Sequence, residues 1–579
     1  MSSFETTSLE FDHLVPFQPR QFVPQNIDLT DLETVNSLYK ELINRSINNA
    51  KEFEQWILDR SELDAGLEQA GSILYIRMTC QTDDEARSKA YSHFIEEVSP
   101  AVKPLDDRLN KIFLELKDRY PLNQDRYLVY ARDIKAQVDL FTQKNVALQT
   151  KIDLLSQEYQ KICGAMSVTF EGREHTLPEM SKYLLEQDRK LREKAWRASG
   201  ERRLQEKDKL ENLFDQMLGI RHQIAINAGC KNFVEYKFRS LNRFDYSPDD
   251  CKQYHQTVEK SVVPLWAEIC LRRKHKMKTE TLRPWDGAVD PLGLPPLKPF
   301  TQVSELIQKC KKMFHLVDPD FGKQFSDMSE GGLLDLASRK GKAPGGYQCS
   351  LDESRRPFIF MNAVGIDADI NTLLHEGGHA FHTLSCSHDP LVDYRHGPME
   401  FNEVASMAME LLAGEYLDEF YSKEDKQRSR ESHLEDIVYV LAWVATIDRF
   451  QHWIYENPNH SRQQRRDQWV ETRRKFSGGV FDWSGLEEFE SYLWHRQLHI
   501  FEVPFYYIEY GIAQLGALQV WQNAKKDWKK AIRDYKKGLA LGGAKTLPEI
   551  YATAGIQFDF SESIIRPLVD AVKRELKLG

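Results

Sequence analysis

Long apolar runs are missing from this sequence. None of its 579 residues falls in a stretch able to span a bilayer, and the opening Met1-Ser-Ser-Phe-Glu-Thr-Thr has no basic, apolar leader. Membrane insertion and secretion therefore have no support, and a cytoplasmic protein without a membrane partner is expected. Paired cysteine motifs are missing too. The eight cysteines, at 80, 163, 230, 251, 270, 310, 349 and 386, include no Cys-x-x-Cys. In a long chain without a leader, they read as free thiols in a reducing compartment. A surplus of positive charge is absent: the formal net charge is −10, which argues against a general polyanion binder. No low-complexity tract and no repeat of fixed period is present, which excludes a solenoid.

What remains is a folded, helix-rich chain. Apolar residues make up 41%, enough for a core, and 579 residues suit two large lobes better than one compact core. Leu29, Leu32, Val35, Leu38, Leu42 and Ile43 recur at helical spacing after the capping-box pattern Thr30-Asp-Leu-Glu33. Further amphipathic stretches cover 65–78, 83–97 and 101–119, with Pro104 expected to open or interrupt one of them. Ser167 to Thr176 alternates around Glu171-Gly172 and predicts a small hairpin, followed by a second capping box at Thr176–Glu179. The Pro- and Gly-rich passage from Leu282 to Pro299 marks an expected division into an N-terminal lobe, 1–281, and a C-terminal lobe, 282–579. The basic run Arg462–Lys475 is broken by Asp467 and Glu471, which predicts an exposed helix face and no nucleic-acid partner.

The chemistry concentrates in Asn371-Thr-Leu-Leu-His375-Glu376-Gly-Gly-His379-Ala-Phe-His382. Two histidines four residues apart lie on one helical face, so both imidazoles can reach one tetrahedral zinc. Glu376 stands off that line, where it can take a proton from a water held by the metal. Asp367 and Asp369 precede the motif, as acids favour a helix N-terminus. Gly377 and Gly378 weaken a helix interior and are easier to understand if a backbone or substrate must come close. His382 lies about 100° from the face of His379 on an ideal helix. A third ligand is better sought in Pro398-Met-Glu400-Phe-Asn-Glu403-Val-Ala-Ser406-Met-Ala-Met-Glu410, a second helix of small and apolar residues. Glu400, Glu403 and Glu410 all compete, and spacing does not choose among them. An acid such as Asp369 is a candidate to support a ligand imidazole. His388 and His396, in the polar loop between the motifs, are expected at the surface or behind the ligands.

Together His-Glu-x-Gly-His-x-x-His and the following Glu403-Val-Ala-Ser406 resemble the oligoendopeptidase F family of zinc metallopeptidases, relatives of thimet oligopeptidase. Gly377 stands where that family usually carries a bulkier apolar residue. The resemblance picks Glu403 as third ligand beside His375 and His379, with one Zn²⁺ per chain. It also implies the fold: mostly α, two helical lobes enclosing a deep channel, with a small hairpin or sheet beside the zinc helix.

Two further stretches gain meaning from it. Gly332 to Asn362 reads as two strands joined by a Gly-rich loop, no helix following the glycines in the manner of a phosphate loop. An edge strand here suits extended peptide, and the family associates a similar passage with its substrate cleft, which implicates Gly345, Gly346 and Tyr347. In Leu498-His499-Ile-Phe-Glu-Val-Pro504-Phe-Tyr506-Tyr507-Ile-Glu-Tyr510-Gly511, aromatic residues share helical faces. Such pairs usually pack a core. By the resemblance, His499 and Tyr510, then Tyr507 and Tyr506, donate hydrogen bonds to the oxyanion formed during peptide hydrolysis. The expected activity is zinc-dependent cleavage of internal bonds in short, unstructured peptides, with Glu376 as general base. The alternative is a catalytically silent peptide-binding protein on the same fold.

Overall fold

The structure is a computed structural model that describes Phe11 and residues 13–578. The Met1–Thr7 opening lies outside the described residues. Helix accounts for 69% of the chain, and the strands form one two-stranded and one three-stranded sheet, so the fold is mostly α with small β elements. No described helix is long and apolar enough to cross a membrane.

Contacts divide the chain into two compact units. One gathers the chain up to Val138 with Leu297–Arg430 and Ala513–Phe558; the other gathers Asp139–Pro296, Glu431–Ile512 and the chain from Asp559 onward. This differs from a single cut near residue 282. The Pro-rich passage does contain one crossing, between Pro296 and Leu297. Composition along the chain marks such a loop, but it carries no information on which distant segments pack together.

In the first unit the Leu32–Asn44 helix buries Val35, Leu38, Tyr39 and Leu42. Its cap is Asp31, whose carboxylate accepts from the Thr34 N–H at 2.8 Å. Thr30 does not cap it, because its own N–H and hydroxyl are held by Asp28. The Ala50–Cys80 helix follows, and Trp56, Phe113, Tyr130 and Tyr394 pack into a shared core. Each such side chain contributes roughly 1.5–3 kcal/mol of apolar burial. Pro104 neither opens nor ends its helix; it lies inside Ser99–Arg119, where Pro100 takes the opening position. The segment before these helices is clasped: the carboxylate of Glu62 accepts from the backbone N–H groups of Gln21, Phe22 and Val23.

Three strands, one more than expected, stand beside the motif helix in this unit. They are β3 (Leu334–Ala337), β4 (Tyr347–Leu351) and β5 (Arg356–Ala363), in the order β3-β5-β4. β5 runs parallel to β3 and antiparallel to β4. The Gly-rich loop therefore joins two strands that are not neighbours. The signal for β4 is weak because Tyr347–Ser350 are only half-buried and Leu351 alone is buried. Arg339 and Lys342 close the loop onto Asp335: Arg339 is bidentate at 2.6 and 2.7 Å, and the Lys342 Nζ donates to the same carboxylate at 2.9 Å.

In the second unit β1 (Ser167–Phe170) and β2 (Arg173–Thr176) form the expected hairpin, with Gly172 at φ +76° in its turn. The Thr176–Glu179 capping box follows. Trp285 anchors the Pro-rich passage, buried against Trp196 at a ring distance of 5.7 Å. The basic run is not a uniformly exposed face. Arg465 is buried on Glu211 and Asp215, Arg473 on Glu490, and Lys475 pairs with Glu259. The partners are distant in sequence, so a local count of charges misses them.

Candidate active site

His375, Glu376 and His379 sit on the Asp367–Ser385 helix. That helix is capped by Asp369, whose carboxylate accepts from the N–H groups of Val364, Gly365 and Ile366 at 2.8, 2.7 and 3.0 Å. Placed in the first turn, Asp369 is turned back on its own backbone and does not support a ligand imidazole. One face, including Ile370, Leu373, Leu374 and Phe381, is buried. The other side packs on the Met399–Ala413 helix, which buries Ala405, Ser406, Ala408 and Met409.

The glycines explain how close that packing is. A Cβ on Gly378 would lie 2.5 Å from the Ala405 carbonyl oxygen and 2.6 Å from the Ser406 Cα. A Cβ on Gly377 would meet the Phe314 ring, at 2.5 Å from Cζ. Gly378 is thus the point of backbone-to-backbone approach, as its helix-weakening position implied. Glu403 lies on the approaching helix. Its Oε2 is 3.4 Å from His375 Nε2 and 3.8 Å from His379 Nε2. The candidate donor atoms of His375, His379 and Glu403 all lie within 4.8 Å of one another.

The neighbours orient these groups. Glu410, one of the competing carboxylates, takes the far side of His375: its Oε1 accepts from His375 Nδ1 at 2.6 Å, which leaves Nε2 facing Glu403. The Ser406 hydroxyl donates to Glu403 Oε2 at 3.1 Å. Electrostatics among the protein groups follow. Burial works to raise the Glu403 pKa, but His375 and His379 outweigh it and hold the carboxyl below its usual range. Burial pushes His379 down to about 4. Burial also pushes Glu376 up to about 7, with Glu403 adding to the rise and His375 opposing it. Glu376 is 7% exposed. His382 is buried with its Nε2 unpartnered, outside the cluster; His396 pairs with Asp352 at 3.0 Å, and His388 packs edge-on against Phe17.

Gly345 and Gly346 lead into β4, and Gly345 has φ +96°. Tyr347 stacks on Phe360 with ring centroids 4.7 Å apart, and its hydroxyl lies 2.6 Å from Thr79 Oγ1. A cavity opens beside His379 and Glu403, and its lining includes Gln348 and Ser350 of β4, together with Asn402 and His396.

The second unit gathers the aromatic donors around one imidazole. Ring centroids of Tyr507, Tyr510 and Tyr506 lie 4.7, 6.1 and 6.1 Å from that of His499. The His499 tautomer follows from its neighbours. The Trp443 indole N–H can only donate, and it donates to Gln497 Oε1 at 3.1 Å. The Gln497 amide nitrogen is thereby turned to His499 Nδ1, at 2.8 Å. Nδ1 accepts, so the ring proton sits on Nε2. Burial pushes His499 down to about 4, which keeps the ring neutral. Sequence reading missed Gln497 and Trp443. Gln497 lies two residues before His499, but its role depends on Trp443, which is remote in the chain.

Against this geometry, comparison with known proteins is decisive for the family. The peptidase family M3 profile matches residues 183–569, and the peptidase M3 N-terminal domain profile matches residues 22–141. The chain belongs to peptidase family M3. An oligoendopeptidase F homolog from Borreliella burgdorferi is 22% identical over 537 residues, covering 89% of this chain and 86% of its own. Among solved structures, PZ peptidase A with an inhibitor superposes with a TM-score of 0.86 at 28% identity, covering 96% of this chain and 99% of that one. A structure carrying a provisional oligoendopeptidase F designation gives 0.85 at 29% identity, over 97% and 99%.

Proposed function

We propose that this M3 family protein is a zinc-dependent endopeptidase that hydrolyses internal bonds of short, unstructured peptides. The observation that carries the proposal is the convergence of His375, His379 and Glu403, with Glu376 next to His375 in the chain and close enough to feel the charges of His375 and Glu403. The donor set fits zinc. Two ligands of a tetrahedral zinc with bonds of about 2.05 Å stand roughly 3.3 Å apart, and His375 Nε2 and Glu403 Oε2 are 3.4 Å apart. Two imidazole nitrogens, each neutral once it holds the ion, and one carboxylate would leave the fourth position open, as catalytic sites require. When bound there, zinc polarises the scissile carbonyl and makes a water acidic enough to attack at neutral pH.

The chain's own groups do the rest. Glu376 accepts the water proton and delivers it to the leaving amine, and a basicity raised by burial suits both halves of that task. Glu410 holds His375 through Nδ1. The family resemblance assigns to His499, whose proton sits on Nε2, and to Tyr510, then Tyr507 and Tyr506, the donation of hydrogen bonds to the carbonyl oxygen as charge develops on it. β4 lies at the edge of its sheet, and its residues Gln348 and Ser350 line the cavity beside His379. A substrate backbone entering at Gly345, Gly346 and Tyr347 would extend that sheet as an added strand.

The test is cleavage of internally quenched peptides, with products mapped by mass. Internal cuts, loss of activity with a chelator and recovery with zinc are expected. Peptide binding without cleavage in the zinc-loaded protein would replace this reading with a silent peptide binder.

A further inference from the structure

Far along the chain from the family motif, the second unit brings together another set of metal-type donors. The Pro248–Thr257 helix carries Cys251 and His255, and the Lys423–Glu456 helix carries Asp448 and His452. Each pair is spaced by four residues, so each helix presents its two groups from one face. The ligand atoms of Cys251, Asp448 and His452 lie within 4.8 Å of one another. All three side chains are buried, at 0%, 0% and 3% exposure. Cys251 is in no disulfide.

The Asp448 and His452 side chains are poorly served by the protein alone. Asp448 Oδ2 accepts from His255 Nε2 at 2.8 Å. His452 Nε2 is 3.3 Å from the same oxygen without hydrogen-bond geometry. Asp448 Oδ1 and both ring nitrogens of His452 have no hydrogen-bond partner. A buried polar atom left so is destabilising, and such atoms usually mark an ion, a water or a function. The Pro248–Thr257 helix also runs straight into a π-helical turn, Val258–Val262, a distortion frequent beside functional sites.

We propose that Cys251, Asp448 and His452 form a second, structural metal site for a soft-to-borderline divalent ion of the zinc class. Thiolate, carboxylate and imidazole exclude magnesium and calcium, which take oxygen ligands. One thiolate and one carboxylate cancel the charge of a divalent ion, so the loaded site is neutral inside the unit. Binding is a ligand exchange with no redox change: the Cys251 S–H bond breaks, its proton leaves to solvent, and a sulfur–metal bond forms. His255 acts as a positioning residue through its bond to Asp448 Oδ2. Burial leaves no place for a substrate, so the ion would tie two helices together.

The experiment is metal stoichiometry on the full chain, loaded with zinc and freed of excess by desalting, with cobalt loading as the spectroscopic arm. Two zinc ions per wild-type chain are expected, and one in each of Cys251→Ser, His452→Gln and the His375→Ala/His379→Ala double variant. Cobalt-loaded wild type should show thiolate-to-metal charge-transfer absorption that persists in the double variant and is absent from Cys251→Ser. No such absorption in wild type, or bound zinc that is lost entirely in the His375→Ala/His379→Ala double variant, would overturn the site. So would two ions persisting in Cys251→Ser. The wild-type measurements decide even if a cluster variant fails to fold. Loss of peptidase activity plays no part in the readout, so failure here and failure of the zinc peptidase reading are separate results.

Discussion

Replacing Gly378 by alanine should weaken zinc binding without touching any ligand. The added Cβ would lie 2.5 Å from the Ala405 carbonyl oxygen and 2.6 Å from the Ser406 Cα, both backbone atoms of the Met399–Ala413 helix. Backbone cannot swing aside as a side chain can. To restore a separation of 3.0–3.4 Å the helices must part by between 0.5 and 0.9 Å at the oxygen. Glu403 rides on the displaced helix, while His375 and His379 stay on the other. Zinc tolerates about ±0.2 Å in its bonds, so a shift of that size strains the third bond. An overpacking cost of about 1–3 kcal/mol, felt at the metal, corresponds to roughly 5- to 150-fold weaker binding. Competition against a chromophoric chelator measures this directly. Global stability is a poor gauge, because alanine gains about 1 kcal/mol over glycine in a helix interior and masks part of the strain. Gly377→Ala is the control: its Cβ meets the Phe314 ring, so it should perturb packing and leave zinc affinity nearly unchanged. Wild-type affinity in Gly378→Ala would refute the claim that this contact sets the ligand geometry.

Three other outcomes follow from the site. Glu376→Gln should retain zinc and lose at least a hundredfold in kcat, since general-base catalysis contributes about 10²–10⁴; a near-normal rate would remove Glu376 from proton transfer. Glu410→Gln should weaken zinc about 10- to 100-fold through the loss of a charged partner at His375 Nδ1, and unchanged binding in the chelator assay would deny it that role. Gln497→Leu removes the donor to His499 Nδ1 and frees the tautomer. It should lower kcat with zinc content and melting temperature nearly unchanged, and an imidazole ¹⁵N spectrum that still shows a proton only on Nε2 would contradict the relay from Trp443.

How much of this could be read from residues alone depended on distance along the chain. His375 and His379 were legible because helix geometry turns a spacing of four into a shared face. Choosing among Glu400, Glu403 and Glu410 was not, because the choice depends on how a second helix crosses the first. That crossing is set by Gly378 against Ala405, a contact between residues 27 positions apart. The Ser167–Thr176 hairpin and the Thr176–Glu179 cap were legible for the same local reason. Thr30 was a plausible cap until Asp28 competed for it, and Asp369 a plausible support until its place in the first turn aimed it backwards. The exposed face expected of the basic run failed at Arg465 and Arg473, whose acidic partners Glu211 and Glu490 come from other helices. Cys251 and His452 carry no sequence signal at all as a pair, being separated by two hundred residues.

The patchwork make-up of the first unit bears on how the protein is born. Its motif helix is built from residues 367–385, yet Tyr535, from the Ala513–Phe558 segment, donates its hydroxyl to the Ala405 carbonyl at 2.6 Å, and a Cβ on Gly516 would press on Val404. A ribosome must therefore release the chain past residue 535 before the helix bearing Glu403 has these neighbours. Domains made of one continuous stretch can mature as they emerge; this one must wait. Nascent chains stalled short of residue 513 would carry His375, His379 and Glu403 without the partners that pack the helix of Glu403, so the candidate metal cluster is completed only after Ala513–Phe558 has emerged.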